Sequence, residues 1–188
     1  MAAEIELKAH VKDYTALRVL LMEKAELLGA FEKEDRYYLN TGASLRLRVR
    51  REKRIFPDGT ERFYTFLTHK TKELRDGIEA NEEREFEIKP VSGSNNDDFE
   101  FILNSLGLKK DFSKKKKGWA YLKDGINVDL CEVEGLGWFL ELELLAGRKT
   151  EETLMPAREK LLDLLNELGI AQEKIESRFY SQMLCDLE

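Results

Sequence analysis

The feature that most constrains this fold is an alternation of charged with apolar side chains that returns in segment after segment. In AEIELKAHV, residues 2–10, Glu4, Glu6 and Lys8 alternate with Ile5, Leu7 and Ala9. SLRLRVR sets Arg46, Arg48 and Arg50 against Leu45, Leu47 and Val49, and EEREFEI sets Glu83, Glu85 and Glu87 against Arg84, Phe86 and Ile88. INVDL and WFLELELL place Asp129, Glu141 and Glu143 against Leu140, Leu142 and Leu144. A period of two belongs to strands, whose successive side chains point to opposite faces. Any one such strand is explained by an antiparallel sheet with one wet face and one on the core. Ordinary wet faces, however, mix Ser, Thr, Gln and Lys, whereas these carry almost only Glu, Asp or Arg. Charged residues are 36% of the chain, more than a solvated surface usually carries, so part of this charge is predicted to lie off the outer surface.

DRYYLN, ERFYTFLTHK and KGWAYL add aromatic and branched enrichment, and with the alternating segments they bring the predicted strands to eight. Eight strands that close into a barrel each have one face inside and one outside. The expected class is α+β with flanking helices, either an open antiparallel sheet or, if the strands close, an eight-stranded antiparallel β-barrel forming a tunnel. The helices are read in residues 13–29, with Asp13 as N-cap and Gly29 as stop, in residues 97–107, in residues 154–169 with Pro156 near the first turn, and near Phe179 to Leu184. Turn signals stand at Pro57-Asp58-Gly59, Gly42-Ala43 and Lys123-Asp124-Gly125, and SGSNNDD at 92–98 reads as a surface loop. With 188 residues and no linker-like stretch, one domain over 1–188 is expected.

Charged faces turned inward cannot enclose a dry lumen, because buried charges require partners, metal or water. Clustered carboxylates bind hard divalent cations such as Mg²⁺ or Mn²⁺, which often bridge to substrate phosphates. Arg and Lys side chains offer charge-assisted, sometimes bidentate contacts to phosphate oxygens. Acids and bases in one cavity together point to a metal and a polyphosphate.

The same residues carry a family resemblance that runs nearly end to end. EIELK resembles the amino-terminal Glu-x-Glu-x-Lys of CYTH domains, the triphosphate tunnel metalloenzymes, which include class IV adenylyl cyclases and thiamine triphosphatases. EDRYYL, LRLR, FLTHK, KKKKGW, VDL, GLGWFLELE and SRFYSQML are similar to further family segments in family order. The resemblance implies metal-side carboxylates at Glu4, Glu6, Asp129, Glu141 and Glu143, with Glu85 a further acidic position. It implies a phosphate-binding set of Lys8, Arg46, Arg48, Lys70, Lys114, Lys116 and Arg178. Catalysis would fall to Lys8, Glu6 and Glu141, with Lys8 orienting or deprotonating the nucleophile.

Two activities share such a cradle. In a triphosphatase, water attacks inorganic tripolyphosphate, thiamine triphosphate or a nucleoside triphosphate; in a class IV cyclase, the ribose hydroxyl of ATP attacks the α-phosphate. Lys116, where the family often has Arg, the longer Asp129–Gly135 loop and Thr-Lys-Glu after Lys70 blur the branch. A non-catalytic polyphosphate-binding module would need the basic set but no complete acidic one.

The net charge of −6 argues against a general nucleic-acid binder. No apolar run approaches a membrane span and residues 1–10 carry no secretory pattern. Cys131 and Cys185 make no disulfide framework, so a cytoplasmic protein without membrane partners is expected, its partner a small triphosphate and its oligomeric state unread. His10 and His69 have no metal-binding spacing, and Cys131, on the face of Asp129, reads as a packing residue of the tunnel wall.

Overall fold

The computed structural model describes residues 3–40, 45–75, 78–89, 96–146 and 150–187. In chain order the elements are β1 (Ala3–His10), α1 (Tyr14–Lys24), β2 (Glu26–Asn40), β3 (Leu45–Ile55), β4 (Glu61–Arg75), β5 (Ile78–Glu87), α2 (Asn96–Ser105), β6 (Lys109–Lys123), β7 (Ile126–Val133), β8 (Gly137–Ala146), α3 (Glu151–Glu167) and α4 (Tyr180–Cys185). All neighbouring strands are antiparallel, in the order β1-β5-β4-β3-β2-β6-β7-β8, and β8 pairs back onto β1. This is the closed eight-stranded barrel with flanking helices that the alternation allows and the family resemblance implies.

The apolar cores sit mainly outside the barrel wall. Leu7, Val128, Leu130, Leu140 and Leu142 point outward and are covered by Leu17 and Leu21 of α1 and by Leu161, Leu164 and Leu165 of α3. Burying each such leucine is worth about 2 kcal/mol, which anchors both helices to the quarter of the wall that carries the most carboxylates. A second outer core places Leu103 of α2 over Tyr38 and Val49. Ile102 of α2 and Leu106 just beyond it remain exposed. A third cluster lies on the inward parity: Phe31, Cys131, Val133 and Phe139 meet Tyr180 and Met183 of α4 and form an apolar plug.

Several boundaries differ from the expected ones. α1 ends at Lys24 because Ala25 is extended, and residues 26–29 open β2 instead of completing a helix. Gly29 therefore stops no helix; it sits at a β-bulge against β6 with φ +139°, and a Cβ there would lie 2.3 Å from the Ile55 carbonyl oxygen. Pairing on both sides of β2 overrides the local helix propensity of the leucines. β6 starts at Lys109, so the lysine run lies within a strand, and α2 starts at Asn96, one residue before the expected helix. α3 starts at Glu151, which puts Pro156 in its second turn.

Asp13 caps α1 as expected, accepting from the Ala16 amide at 2.9 Å. Asp124 and Gly125, at φ 51° and 80°, make the predicted turn between β6 and β7. Gly42-Ala43 and the first half of the 92–98 loop lie outside the described residues. No helix among the described residues is long and apolar enough to cross a membrane.

Candidate functional site

Strand register brings the inward carboxylates of three adjacent strands side by side. Glu6 of β1 stands opposite Glu143 of β8, and Glu141 stands between Lys8 on one side and Asp129 of β7 on the other. Glu4, one inward step along β1, completes this acidic wall. The opposite wall is basic: Arg46, Arg48 and Arg50 from β3, Lys70 from β4, Lys114 and Lys116 from β6 and Lys33 from β2 border the same cavity of about 890 Å³.

Ion pairs cross the lumen. Lys70 Nζ donates to Glu4 and to Glu6, the latter at 3.0 Å, and lies 3.4 Å from Glu83. Lys116 donates to Glu141 Oε2 and lies 3.4 Å from Asp129, which also accepts from Lys33 at 2.9 Å. Arg48 donates to Glu83 at 2.8 Å and to Glu85 at 3.2 Å. Arg50 grips the fully buried Asp35 with two bonds of 2.7 and 3.1 Å, and Lys114 lies 3.4 Å from the same carboxylate.

These neighbours set the protonation balance. Burial, together with the charges of Glu143, Glu6 and Glu83 and against the pull of Lys70, pushes Glu4 up to about 8. Burial and the Glu6 charge raise Glu143 as well. Burial alone would raise Asp129 and Glu141, but Lys33 and Lys116 outweigh it at Asp129 and Lys116 outweighs it at Glu141, so both stay below the usual carboxylate range. Burial and the Glu141 charge drive the Tyr180 phenol well above 10, so its hydroxyl is a donor at every physiological pH.

Of the residues nominated from the sequence, Glu4, Glu6, Arg46, Arg48, Lys70, Glu85, Lys114, Lys116, Asp129, Glu141 and Glu143 border the cavity. Two do not. Lys8 points inward but is buried at the plugged end, bonded to Glu79 at 2.9 Å, with its ammonium 5.6 Å from the Tyr180 ring centroid. Its ammonium is paired with Glu79 and does not border the cavity. Arg178 lies off the cavity, its guanidinium bonded to Glu176 at 2.8 Å and Asp186 at 3.1 Å, because the local Glu176-x-Arg178 turn captures it first.

Sequence reasoning passed over Lys33, Asp35, Arg50, Glu79 and Tyr180. Arg50 is simply the third arginine of the β3 alternation, and Glu79 with Asn81 continues the β5 alternation upstream. Cys131 is fully buried in the plug, 3.7 Å from Glu141 Oε1, and burial holds its thiol well above 9.

The acidic wall fits a hard divalent cation. Its donors are all carboxylate oxygens, and burial together with neighbouring carboxylates raises Glu4 and Glu143, a cost that a bound cation would offset. No three acidic, His or Cys side chains among the described residues converge into a preformed metal cage; Lys70 and Lys116 stand among them as counter-ions.

Residues 2–180 match the CYTH domain. A protein from Pyrococcus horikoshii OT3 has the same fold with a TM-score of 0.79 at 30% identity, over 98% of this chain and 99% of its own. A conserved hypothetical protein from Pyrococcus furiosus follows at 0.70 and 28%, over 94% and 97%. A Hippeastrum protein described as having a dominant triphosphatase activity shares the fold at 0.60 and 18%, over 98% and 94%. No curated protein matches the chain. Matched to that domain over nearly its whole length and built around a charged barrel lumen, the chain belongs to the CYTH domain family.

Proposed function

We propose that this protein is a divalent-cation-dependent triphosphatase whose substrate, inorganic tripolyphosphate, thiamine triphosphate or a nucleoside triphosphate, lies along the tunnel between the two walls. The observation that carries this reading is the pairing of a carboxylate wall on β1, β7 and β8 with a guanidinium and ammonium wall on β3, β4 and β6 across one cavity. Among the described residues, nine carboxylates and eight cations border that cavity. A triphosphate bearing several negative charges therefore adds to a site with no cationic surplus, and its binding calls for extra positive charge.

Glu4, Glu6, Asp129, Glu141 and Glu143 would hold Mg²⁺ or Mn²⁺. When bound, such an ion neutralises phosphate oxygens and polarises the reacting phosphoryl group. Arg46, Arg48 and Arg50 offer planar forks to the phosphate oxygens, and Lys114 adds a point charge. Lys70 and Lys116 are carboxylate counter-ions in the free protein and are free to turn to phosphate once the carboxylates are neutralised otherwise. The barrel wall fixes the strand positions of these residues before substrate arrives, so their placement around the lumen is supplied in advance.

The same cradle would serve a class IV cyclase; in the SRFYSQML segment Arg178 is engaged with Glu176 and Asp186 away from the cavity, while Phe179, Tyr180 and Ser181 border it. Hydrolysis is placed first because it asks less of the site than directing a ribose hydroxyl onto the α-phosphate. The test is a panel of tripolyphosphate, thiamine triphosphate and ATP under Mg²⁺ and Mn²⁺, scoring phosphate against cyclic AMP and pyrophosphate. Phosphate release is expected; cyclic AMP as the main product from ATP would overturn the triphosphatase assignment, and tight binding without turnover would make the protein a binding module.

A further inference from the structure

The chain returns to the barrel at its carboxy-terminal end. Ile175 bridges to Ala9, the Glu176 amide donates to the Lys8 carbonyl at 2.9 Å, and the Glu176 carboxylate meets His10 at 3.1 Å. These contacts tie the segment to the end of β1. Four residues beyond Glu176, the Tyr180 ring packs edge-on against Phe139 with centroids 5.2 Å apart, and Lys114 Nζ stands 4.6 Å over its face. Thus held, the Tyr180 hydroxyl donates to Glu141 Oε1 at 2.8 Å, while Lys116 donates to Oε2. The two oxygens of one carboxylate are thereby divided: a neutral donor holds one, and a cation in the cavity meets the other.

We propose that Tyr180 is a positioning residue of the tunnel site, fixing Glu141 so that Oε2 is presented to a divalent cation. This rests on the reading of Glu141 as a metal-holding carboxylate. A carboxylate on a strand can still rotate about its side-chain torsions, and a hydroxyl on one oxygen removes that freedom. Outer partners of this kind are worth about 10–100-fold in metal affinity or activity. The carboxy-terminal segment is then part of the site as well as its plug. Tyr180 places its hydroxyl on the acidic wall and its ring in the apolar plug, so plug packing and carboxylate orientation share a residue.

The test is Mn²⁺ binding to the full chain, measured by calorimetric titration without substrate, in Tyr180→Phe, Glu141→Gln, their double variant and Met183→Ala. Tyr180→Phe keeps the ring and removes one oxygen; near-ultraviolet circular dichroism checks that the packing persists. About tenfold weaker Mn²⁺ binding in Tyr180→Phe is expected, with no further loss when it is added to Glu141→Gln. Met183→Ala, which loosens the plug without touching Glu141, is expected to bind Mn²⁺ as the parent does. If Glu141→Gln weakens binding and Tyr180→Phe does not, the positioning role is wrong while the metal reading stands. If Met183→Ala weakens binding as much as Tyr180→Phe, the role is packing alone and the proposal falls. If Glu141→Gln leaves binding unchanged, the metal reading itself falls and the proposal with it.

Discussion

Asp35→Asn isolates the electrostatics of the basic wall without changing the shape of the side chain. Asp35 is wholly buried and is the counter-ion of Arg50, at 2.7 and 3.1 Å, and of Lys114, at 3.4 Å. At an effective dielectric of about 20, a unit charge about 3 Å away contributes on the order of 5 kcal/mol of attraction before desolvation. Removing one partner of a buried pair costs about 3–5 kcal/mol net, because the other charge stays in place uncompensated. Asn can still accept from Arg50, so the lower end, about 3 kcal/mol, is expected.

For a chain of this size that corresponds to a fall of about 6–12 °C in melting temperature. Urea unfolding followed by the fluorescence of Trp119 and Trp138 would show it as a lower midpoint at unchanged slope. The pH dependence adds a second check. Burial alone would raise Asp35, but Arg50, Lys114 and Arg48 outweigh it and hold the carboxyl well below 3.8. A depressed folded value contributes stability that is fully present above the unfolded value and is lost as pH falls through the folded one. The gap between parent and variant should therefore be constant above about pH 4 and close below it. A loss under about 1 kcal/mol at pH 7, typical of an exposed pair, would refute the buried counter-ion argument.

Gly29→Ala should cost more than about 1 kcal/mol, since it adds a Cβ 2.3 Å from the Ile55 carbonyl at a positive φ; a melting temperature equal to the parent's would contradict the bulge. Glu79→Gln should destabilise by about 3 kcal/mol by stranding the buried Lys8, and Lys8→Met added to it should recover most of that in chemical denaturation; strictly additive losses would show that the two are not a pair. Arg48→Ala should weaken tripolyphosphate binding at least tenfold in calorimetry, while the solvated Lys115→Ala and Lys117→Ala should stay within about twofold. Equal effects at all three positions would point to a diffuse surface attraction instead of a tunnel.

The barrel was legible because charge purity on one strand face survives in sequence, and the parity of that face decides inside from outside. Lys114 and Lys116, the two nominated from the lysine run, are buried while Lys115 and Lys117 are exposed. Parity says nothing of depth along the barrel axis, which is why Lys8 reads like Glu4 and Glu6 yet ends in the plug with Glu79. Nor does it give register: that Asp35 meets Arg50 depends on how β2 slides against β3, and a single strand does not encode its partner's offset. Tyr180 arrives from the chain's end with no period to announce it. Arg178 stands in a recognisable segment, but two acids near it in sequence capture its guanidinium.

The central claim is that a triphosphate lies between the two walls with cations on the acidic side. It is tested most directly by anomalous diffraction from crystals grown with Mn²⁺ and a non-hydrolysable triphosphate. The account predicts manganese peaks within coordination distance, about 2.0–2.4 Å, of oxygens among Glu4, Glu6, Asp129, Glu141 and Glu143, with phosphate oxygens on Arg46, Arg48, Arg50 and Lys114. Manganese or phosphate bound only on the outer face of the barrel, with Lys70 and Lys116 still paired to the carboxylates, would contradict it.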